Sequence, residues 1–121
     1  MSGANILFVD DDAALRKVVK TQLTGMGYLV DEAGDGQTAI EKLQEGSYAL
    51  MLLDINMPKK SGIDVLKFMR EKKIQCKVIM LTGRVGFSIA TESMKLGADE
   101  YVTKPFSLEY LVSTMQRVLT R

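Results

Sequence analysis

The chain has 121 residues and a formal net charge of +1, from 16 basic and 15 acidic side chains. We expect residues 1–121 to form one domain, and the balanced charge gives no general attraction to nucleic acid or to an anionic membrane. Histidine is absent, which excludes histidine-based catalysis and histidine–metal sites.

Cys76 is the only cysteine, so the chain has no internal disulfide bond. The N-terminus lacks the charged and long apolar regions of a signal peptide. The longest apolar runs fall far short of the roughly 20 residues that a membrane-spanning helix needs. We therefore expect a cytoplasmic protein that is not inserted in a membrane.

The first strand and helix show the pattern that recurs along the chain. Ile6–Val9 is apolar throughout and too short for a helix, which is typical of a strand buried on both faces. In the helix that follows, apolar residues recur every three or four positions, basic residues are expected on the solvent side, and Asp12 is the expected N-cap. The apolar positions are Leu15, Val18, Val19, Leu23 and Met26, the basic ones are Arg16, Lys17 and Lys20, and Gly25 and Gly27 end the helix.

Four further strand–helix units follow in strict alternation. Strands are predicted at Tyr28–Ala33, Leu50–Leu53, Val78–Leu81 and Glu100–Thr103. Helices are predicted around Ile40–Leu43, Ile63–Met69, Ile89–Leu96 and Leu108–Leu119, with Ser61 and Ser107 as N-caps of the third and fifth. Such alternation predicts an α/β fold with a parallel sheet and helices on both faces, and the second and fifth strands are expected at its edges.

Polar side chains stand where four of the predicted strands end. The first strand ends in Asp10, Asp11 and Asp12, the third in Asp54, and the fourth in Thr82, while the fifth ends in Thr103, which Lys104 follows. Open sheets of this kind bind ligands outside the carboxyl ends of their strands. We therefore expect these groups to meet at one edge of the sheet.

The acids at this edge need a cation, because crowded carboxylates repel one another. Oxygen ligands without histidine or cysteine favour Mg²⁺. The Thr82 hydroxyl and the Lys104 ammonium are suited to hold phosphate oxygens, and an aspartate can form an aspartyl phosphate. The residues indicate a phosphoryl-transfer site.

Four motifs, VDDD, LLDINMP, LTG and EYVTKPF, lie on these units in this order. Together they resemble the receiver domain of bacterial response regulators, the CheY-like family, over essentially the whole chain. The resemblance implies a five-stranded sheet in the order 2-1-3-4-5, doubly wound with five helices. It also implies a phospho-acceptor that assists its own phosphorylation and dephosphorylation and is otherwise no enzyme.

The resemblance also implies roles for the acids. Asp54 is then the residue that a histidine kinase phosphorylates. Asp11 and Asp54 bind Mg²⁺, or Mn²⁺ in its place, together with the backbone carbonyl of Asn56, and Asp10 acts mainly through metal-bound water. For Asp12 the N-cap is preferred to a metal ligand.

Two further residues, Thr82 and Tyr101, are implied as a switch. Thr82 and Lys104 contact the phosphoryl group, and Tyr101 moves inward when Thr82 is drawn towards the phosphate. Arg84 lies near the approach of a hydrolytic water and is expected to affect the phosphoryl lifetime. The peptide bond between Lys104 and Pro105 is often cis in this family.

The implied partners are a sensor histidine kinase or a phosphotransfer protein, and a downstream protein or tethered effector domain. No direct binding to nucleic acid is expected, and the chain is expected to be a monomer or a weak phosphorylation-dependent dimer. Lys95, Asp99 and Glu100 resemble part of the dimer contacts of OmpR-type regulators. Thr114 stands where those regulators carry a basic residue, so this ion-pair network is in doubt.

Two other functions are compatible with such a fold. A flavodoxin-like electron carrier would need phosphate-binding residues after the first strand, where three aspartates would repel a flavin phosphate. A phosphatase of the haloacid dehalogenase type would need a second acid two residues after Asp54, and that position holds Asn56. Asparagine cannot act there as a general acid.

Overall fold

The computed structural model describes residues 3–57, 59–83 and 87–121. Strands and helices alternate along this part of the chain, as predicted. The strands are β1 (Asn5–Val9), β2 (Leu29–Ala33), β3 (Leu50–Asp54), β4 (Lys77–Thr82) and β5 (Glu100–Thr103). The helices are α1 (Ala13–Gly25), α2 (Gly36–Glu45), α3 (Gly62–Lys72), α4 (Phe87–Lys95) and α5 (Leu108–Leu119).

The strands form one parallel sheet in the order β2-β1-β3-β4-β5. The predicted fold class and strand order are therefore confirmed, with β2 and β5 at the edges. Asp54 and Thr82 are the last residues of β3 and β4, so both polar residues end these strands, as predicted. The regular backbone of the sheet thus carries both side chains to its carboxyl edge.

Each face of the sheet has its own hydrophobic core, because successive side chains of a strand point to opposite faces. Ile6 and Phe8 of β1 pack with α1 and α5, whereas Leu7 and Val9 pack with α2 and α3. These four apolar side chains of β1 are fully buried. This double burial explains why the central strands are apolar throughout.

Four described helices begin with a capping side chain. Asp12, Ser61 and Ser107 cap α1, α3 and α5, as predicted, by accepting a hydrogen bond from a backbone N–H three residues later. Asp35 caps α2 in the same way and was not predicted. Each cap satisfies a backbone donor that the first turn of a helix leaves unpaired.

The predicted solvent side of α1 is wrong at Arg16 and Val18. Val18 is 58% exposed, and Met26 is also exposed beyond the helix end, whereas Val19 and Leu23 are buried. Arg16 lies seven positions before Leu23 and so on the same face, while Val18 is turned away from Leu23 by about 140°. Compared with the prediction, α1 is rotated about its axis so that Arg16 faces the protein. The Arg16 side chain is only 20% exposed.

The loop after β3 is held by close backbone approach. The Gly62 N–H donates to the Ile55 carbonyl at 2.8 Å and closes the loop. A Cβ atom at Gly62 would overlap the Asp54 carbonyl, and one at Gly36 would overlap the backbone of Lys60. The absence of a side chain at these two glycines lets α3 and α2 pack directly against the segment that carries Asp54.

Within the described residues, none of the helices has the length and apolar character needed to cross a membrane.

Candidate functional site

Three aspartates meet at the carboxyl edge of the sheet. Asp10 follows β1, Asp11 comes next, and Asp54 ends β3, the neighbouring strand. One carboxylate oxygen of each lies within 4.8 Å of the other two. Asp10 and Asp54 are buried and Asp11 is exposed, so the cluster opens to solvent on the side of Asp11.

Lys104 reaches this cluster from the end of β5. Its Nζ atom lies 2.5 Å from Oδ2 of Asp10 and 3.5 Å from Oδ2 of Asp54. Its backbone N–H donates to the Thr82 carbonyl at 2.6 Å, and the peptide bond from Lys104 to Pro105 is cis. One ammonium group therefore offsets the charge of two buried carboxylates.

The pKa values of Asp54 and Lys104 reflect this crowding. Burial raises the pKa of Asp54 to about 6; the charge of Asp10 adds to the rise, and the Lys104 ammonium opposes it. For Lys104, burial acts to lower the pKa, but the hydrogen bond to Asp10 and the charge of Asp54 outweigh it and the pKa is raised. The acids thus favour the charged form of Lys104, whereas the Lys104 charge only partly offsets the effect of burial on Asp54.

Thr82 presents a buried hydroxyl to the same edge. The residue is 2% exposed, and its Oγ1 atom has no hydrogen-bond partner among the described residues. Buried hydroxyl groups are nearly always paired, so an unpaired one beside a cluster of acids is suited to an oxygen-rich ligand. A Cβ atom at the next residue, Gly83, would meet nothing within 4 Å in the described structure.

Asp10 is held by several hydrogen bonds. Its Oδ1 atom accepts from the backbone N–H of Asp12 at 2.9 Å, and its carbonyl accepts from Nη1 of Arg16 at 2.7 Å. Nε of Arg16 donates in turn to Glu32 on β2 at 3.0 Å. The sequence analysis did not predict that Arg16 and Glu32 support this site. The available signal was an arginine in the first turn of a helix, where an acidic residue is usual.

The donors of this site fit a hard divalent cation. The three carboxylates supply oxygen only, and Asn56 follows Asp54 by two residues in the loop between β3 and α3. Magnesium takes one or two carboxylates and leaves positions for water and phosphate oxygens. The predicted ligands Asp10, Asp11 and Asp54 are together, and Asn56 adjoins them.

The predicted switch residues lie on neighbouring strands. Thr82 of β4 pairs in register with Thr103 of β5, and Tyr101 pairs with Met80. The Tyr101 side chain is 43% exposed. Arg84 lies outside the described residues, so its predicted role is not tested.

The model of the response regulator receiver domain matches residues 6–116 of the chain. The chain belongs to the response regulator receiver domain family. Family members accept a phosphoryl group in two-component signalling and typically bind Mg²⁺. The flavodoxin and phosphatase alternatives are not favoured.

Similar receiver domains are known in bacteria and archaea. The transcriptional regulatory protein CpxR of Escherichia coli is 43% identical over 116 residues, which cover 96% of this chain and 49% of CpxR. A CheY-like receiver domain protein of Methanospirillum hungatei has a TM-score of 0.93 at 30% identity and covers 98% of this chain and 94% of its own. The receiver domain of the Francisella response regulator 1452 has a TM-score of 0.92 at 30% identity, with 98% of both chains covered.

This receiver domain spans about half the length of the curated relatives it matches. CpxR is a transcriptional regulatory protein by name. The similarity to these relatives concerns the receiver part alone.

Proposed function

We propose that Asp54 is the phospho-acceptor of this receiver domain and that the donor is a phosphohistidine of a sensor kinase or phosphotransfer protein. The observation that carries the proposal is that three kinds of group lie at the carboxyl edge of the sheet: the acid cluster, the Lys104 ammonium beside it, and the Thr82 hydroxyl at the end of β4, which is unpaired among the described residues. A structural cap or ion pair would not need all three. We also propose that residues 1–121 are one receiver domain.

The transfer moves one phosphoryl group between the two proteins. A carboxylate oxygen of Asp54 attacks phosphorus, the P–N bond of the phosphohistidine breaks, and its electron pair stays on the imidazole nitrogen of the donor. The product is an acyl phosphate on Asp54. With a pKa of about 6, Asp54 is ionised at pH 7 and so is ready as the nucleophile.

Asp11, Asp54 and the backbone carbonyl of Asn56 would hold the magnesium ion, with Asp10 acting through a bound water, and Mn²⁺ is suited to replace Mg²⁺. The bound ion supplies charge neutralisation for the carboxylates and the phosphoryl oxygens. Lys104 contributes a second positive charge, with its Nζ atom 3.5 Å from Oδ2 of Asp54. These residues position and neutralise the reacting group.

Dephosphorylation reverses the modification within the same site. Water attacks the phosphorus of the acyl phosphate, the bond to the Asp54 oxygen breaks, and inorganic phosphate leaves. The carboxylate is regenerated. In this sense the receiver domain assists its own phosphorylation and dephosphorylation without turning over an external substrate.

Phosphorylation shifts an equilibrium between two conformations. The Thr82 hydroxyl, which lacks a partner among the described residues, donates to a phosphoryl oxygen. Its movement makes room for Tyr101 to turn inward from the exposed position it holds now. The change at α4, β5 and α5 is the signal to a downstream protein or a tethered effector domain.

We also propose an oligomeric state, based on contacts at the same face. The Glu100 carboxylate accepts a hydrogen bond from Arg121 at 2.6 Å within the chain. Thr114 is buried, and its hydroxyl donates to the backbone carbonyl of Tyr110. Two members of an OmpR-type dimer network are therefore engaged internally or lack charge. The domain is accordingly a monomer or a weak phosphorylation-dependent dimer.

The proposal is tested by incubating the protein with acetyl phosphate or phosphoramidate and Mg²⁺ and measuring its mass. We expect a gain of one phosphoryl group for the wild type and none for Asp54→Asn. Asp12→Asn is the matched control, because asparagine also caps helices and Asp12 is given no role in the reaction. A wild type that gains no mass from these donors or from a histidine kinase would overturn the proposal.

The phosphatase alternative has its own measurement. Steady turnover of p-nitrophenyl phosphate by the wild type would favour an external substrate. We expect none, because Asn56 offers no acid for a leaving group.

A further inference from the structure

We infer that Arg16 is a positioning residue for the metal site, an inference that rests on the proposed function. Its guanidinium group fixes the peptide between Asp10 and Asp11 and so aims the Asp11 carboxylate at the position of the ion. Arg16 itself touches neither the ion nor the phosphoryl group.

The first step of the argument is the geometry of Asp10. Its backbone N–H donates to the Ala33 carbonyl at 3.1 Å, and its carboxylate is bonded by Lys104 and by the Asp12 N–H. Its carbonyl is bonded by Arg16. This carbonyl belongs to the peptide group that leads to Asp11, so its direction sets the start of Asp11.

The second step is that Asp11 needs such support. Asp11 is exposed, whereas Asp10 and Asp54 are buried in contact with Lys104. Its carboxylate nevertheless lies within 4.8 Å of theirs, where like charges repel it. A fixed backbone holds it there at lower cost than a free one would.

The third step concerns how Arg16 is held. Its backbone N–H makes the first hydrogen bond of α1, to the Asp12 carbonyl at 3.0 Å. Side chains of a helix lean towards its N-terminus, which brings the guanidinium over the Asp10 carbonyl. A Cβ atom at Gly34 would lie 3.1 Å from Nη1 of Arg16, so the glycine leaves room for the group.

The fourth step concerns charge. A bare guanidinium beside a cation site would repel the cation. Glu32 lies 3.0 Å from Nε of Arg16 and 3.5 Å from Lys20, and so offsets part of the positive charge of the two side chains. Arg16 can therefore orient the backbone through a hydrogen bond while Glu32 offsets part of its charge.

The test compares Mg²⁺ affinity in Arg16→Met and Lys20→Met by calorimetric titration. Both variants remove one positive charge from α1 and one contact with Glu32, but only Arg16 touches Asp10. We expect Arg16→Met to bind Mg²⁺ about tenfold more weakly than wild type, the usual cost of losing an outer-sphere partner. Lys20→Met is expected within about twofold of wild type, or tighter, since removing a positive charge favours a cation.

Equal affinities in Arg16→Met and Lys20→Met would overturn the inference. If Arg16→Met does not fold, as judged by urea unfolding without metal, Arg16→Lys takes its place. Lysine keeps the charge but cannot hold both acceptors in one plane, so weaker Mg²⁺ binding is again expected and an unchanged affinity would contradict the idea. A wild type that binds no Mg²⁺ would instead defeat the proposed metal site itself.

Discussion

At the amino-terminal side of the sheet, polar groups satisfy one another. The Tyr48 hydroxyl donates to Asp31 at 2.7 Å, and one oxygen of Asp99 accepts the backbone N–H of Val78 at 2.8 Å. Burial, followed by the hydrogen bond to Asp31, raises the pKa of Tyr48 to about 12. The phenol thus remains a donor at any ordinary pH.

At the carboxyl side the polar groups compete. Asp10 and Asp54 share the ammonium of Lys104, and the Thr82 hydroxyl is unpaired within the described structure. The polar groups described at the amino-terminal side thus have hydrogen-bond partners within the protein, whereas those at the carboxyl side are suited to bind a ligand. Proteins commonly tolerate such local cost at functional sites, and the following changes test the contrast.

The largest effect is expected for Lys104→Met. It leaves Asp10 buried without its cation, and we expect the free energy of unfolding at pH 7 to fall by about 3 kcal/mol. Urea unfolding measures it, with Lys20→Met as the control. The exposed pair of Lys20 with Glu32 is expected to contribute at most about 0.5 kcal/mol. If Lys104→Met and Lys20→Met lose the same free energy of unfolding, Lys104 has no special role in stabilising the buried acids.

The next effect is a gain in stability for Asp54→Asn with divalent cations chelated. The pKa of Asp54 is about 6 in the folded state and about 3.9 in the unfolded chain. The contribution of Asp54 to the stability of the wild type therefore falls as pH rises through about 4 to 6, because the folded state must lose a proton that it holds more tightly.

Asp54→Asn removes this dependence, and we expect it to be more stable than wild type by about 3 kcal/mol at pH 7.5. Below pH 4 the two proteins should differ little. The measurement is urea unfolding across pH 4 to 8, with Asp12→Asn as the control for a change of charge at an exposed acid. Parallel pH profiles for wild type and Asp54→Asn would contradict the raised pKa.

A smaller effect is expected for Tyr48→Phe at the amino-terminal side. It removes one satisfied hydrogen bond, so the free energy of unfolding should fall by about 1 kcal/mol. Mg²⁺ affinity and phosphorylation should not change. A loss of either would mean that the two edges are coupled.

The smallest effect on stability is expected for Thr82→Val. Valine keeps the shape and removes a hydroxyl that has no partner among the described residues, so the free energy of unfolding should change by less than about 1 kcal/mol, towards greater stability. Phosphorylation of Asp54 should persist, while the shift of the Tyr101 ring resonances on phosphorylation is lost. A strongly destabilised variant would show that the hydroxyl is paired after all.

The sequence alone was enough to predict the strands and to place the acids, Thr82 and Lys104 at one edge of the sheet. Leu50–Leu53 is apolar because β3 is buried on both faces, a local signal that survives folding. Asp54 and Thr82 could be placed at one edge because parallel strands end together. The roles given to Asp54, Thr82, Lys104 and Tyr101 remain predictions.

Only the tertiary structure decided which groups touch. The rotation of α1 depends on how it packs against β1 and β2, and it places Arg16 against Asp10 and leaves Val18 in solvent. The sharing of Lys104 by two acids depends on distances between strands that lie far apart in sequence. The order of residues along the chain determines which groups reach the carboxyl edge of the sheet. Their charge and their partners depend on interatomic distances and burial, which only the folded structure sets.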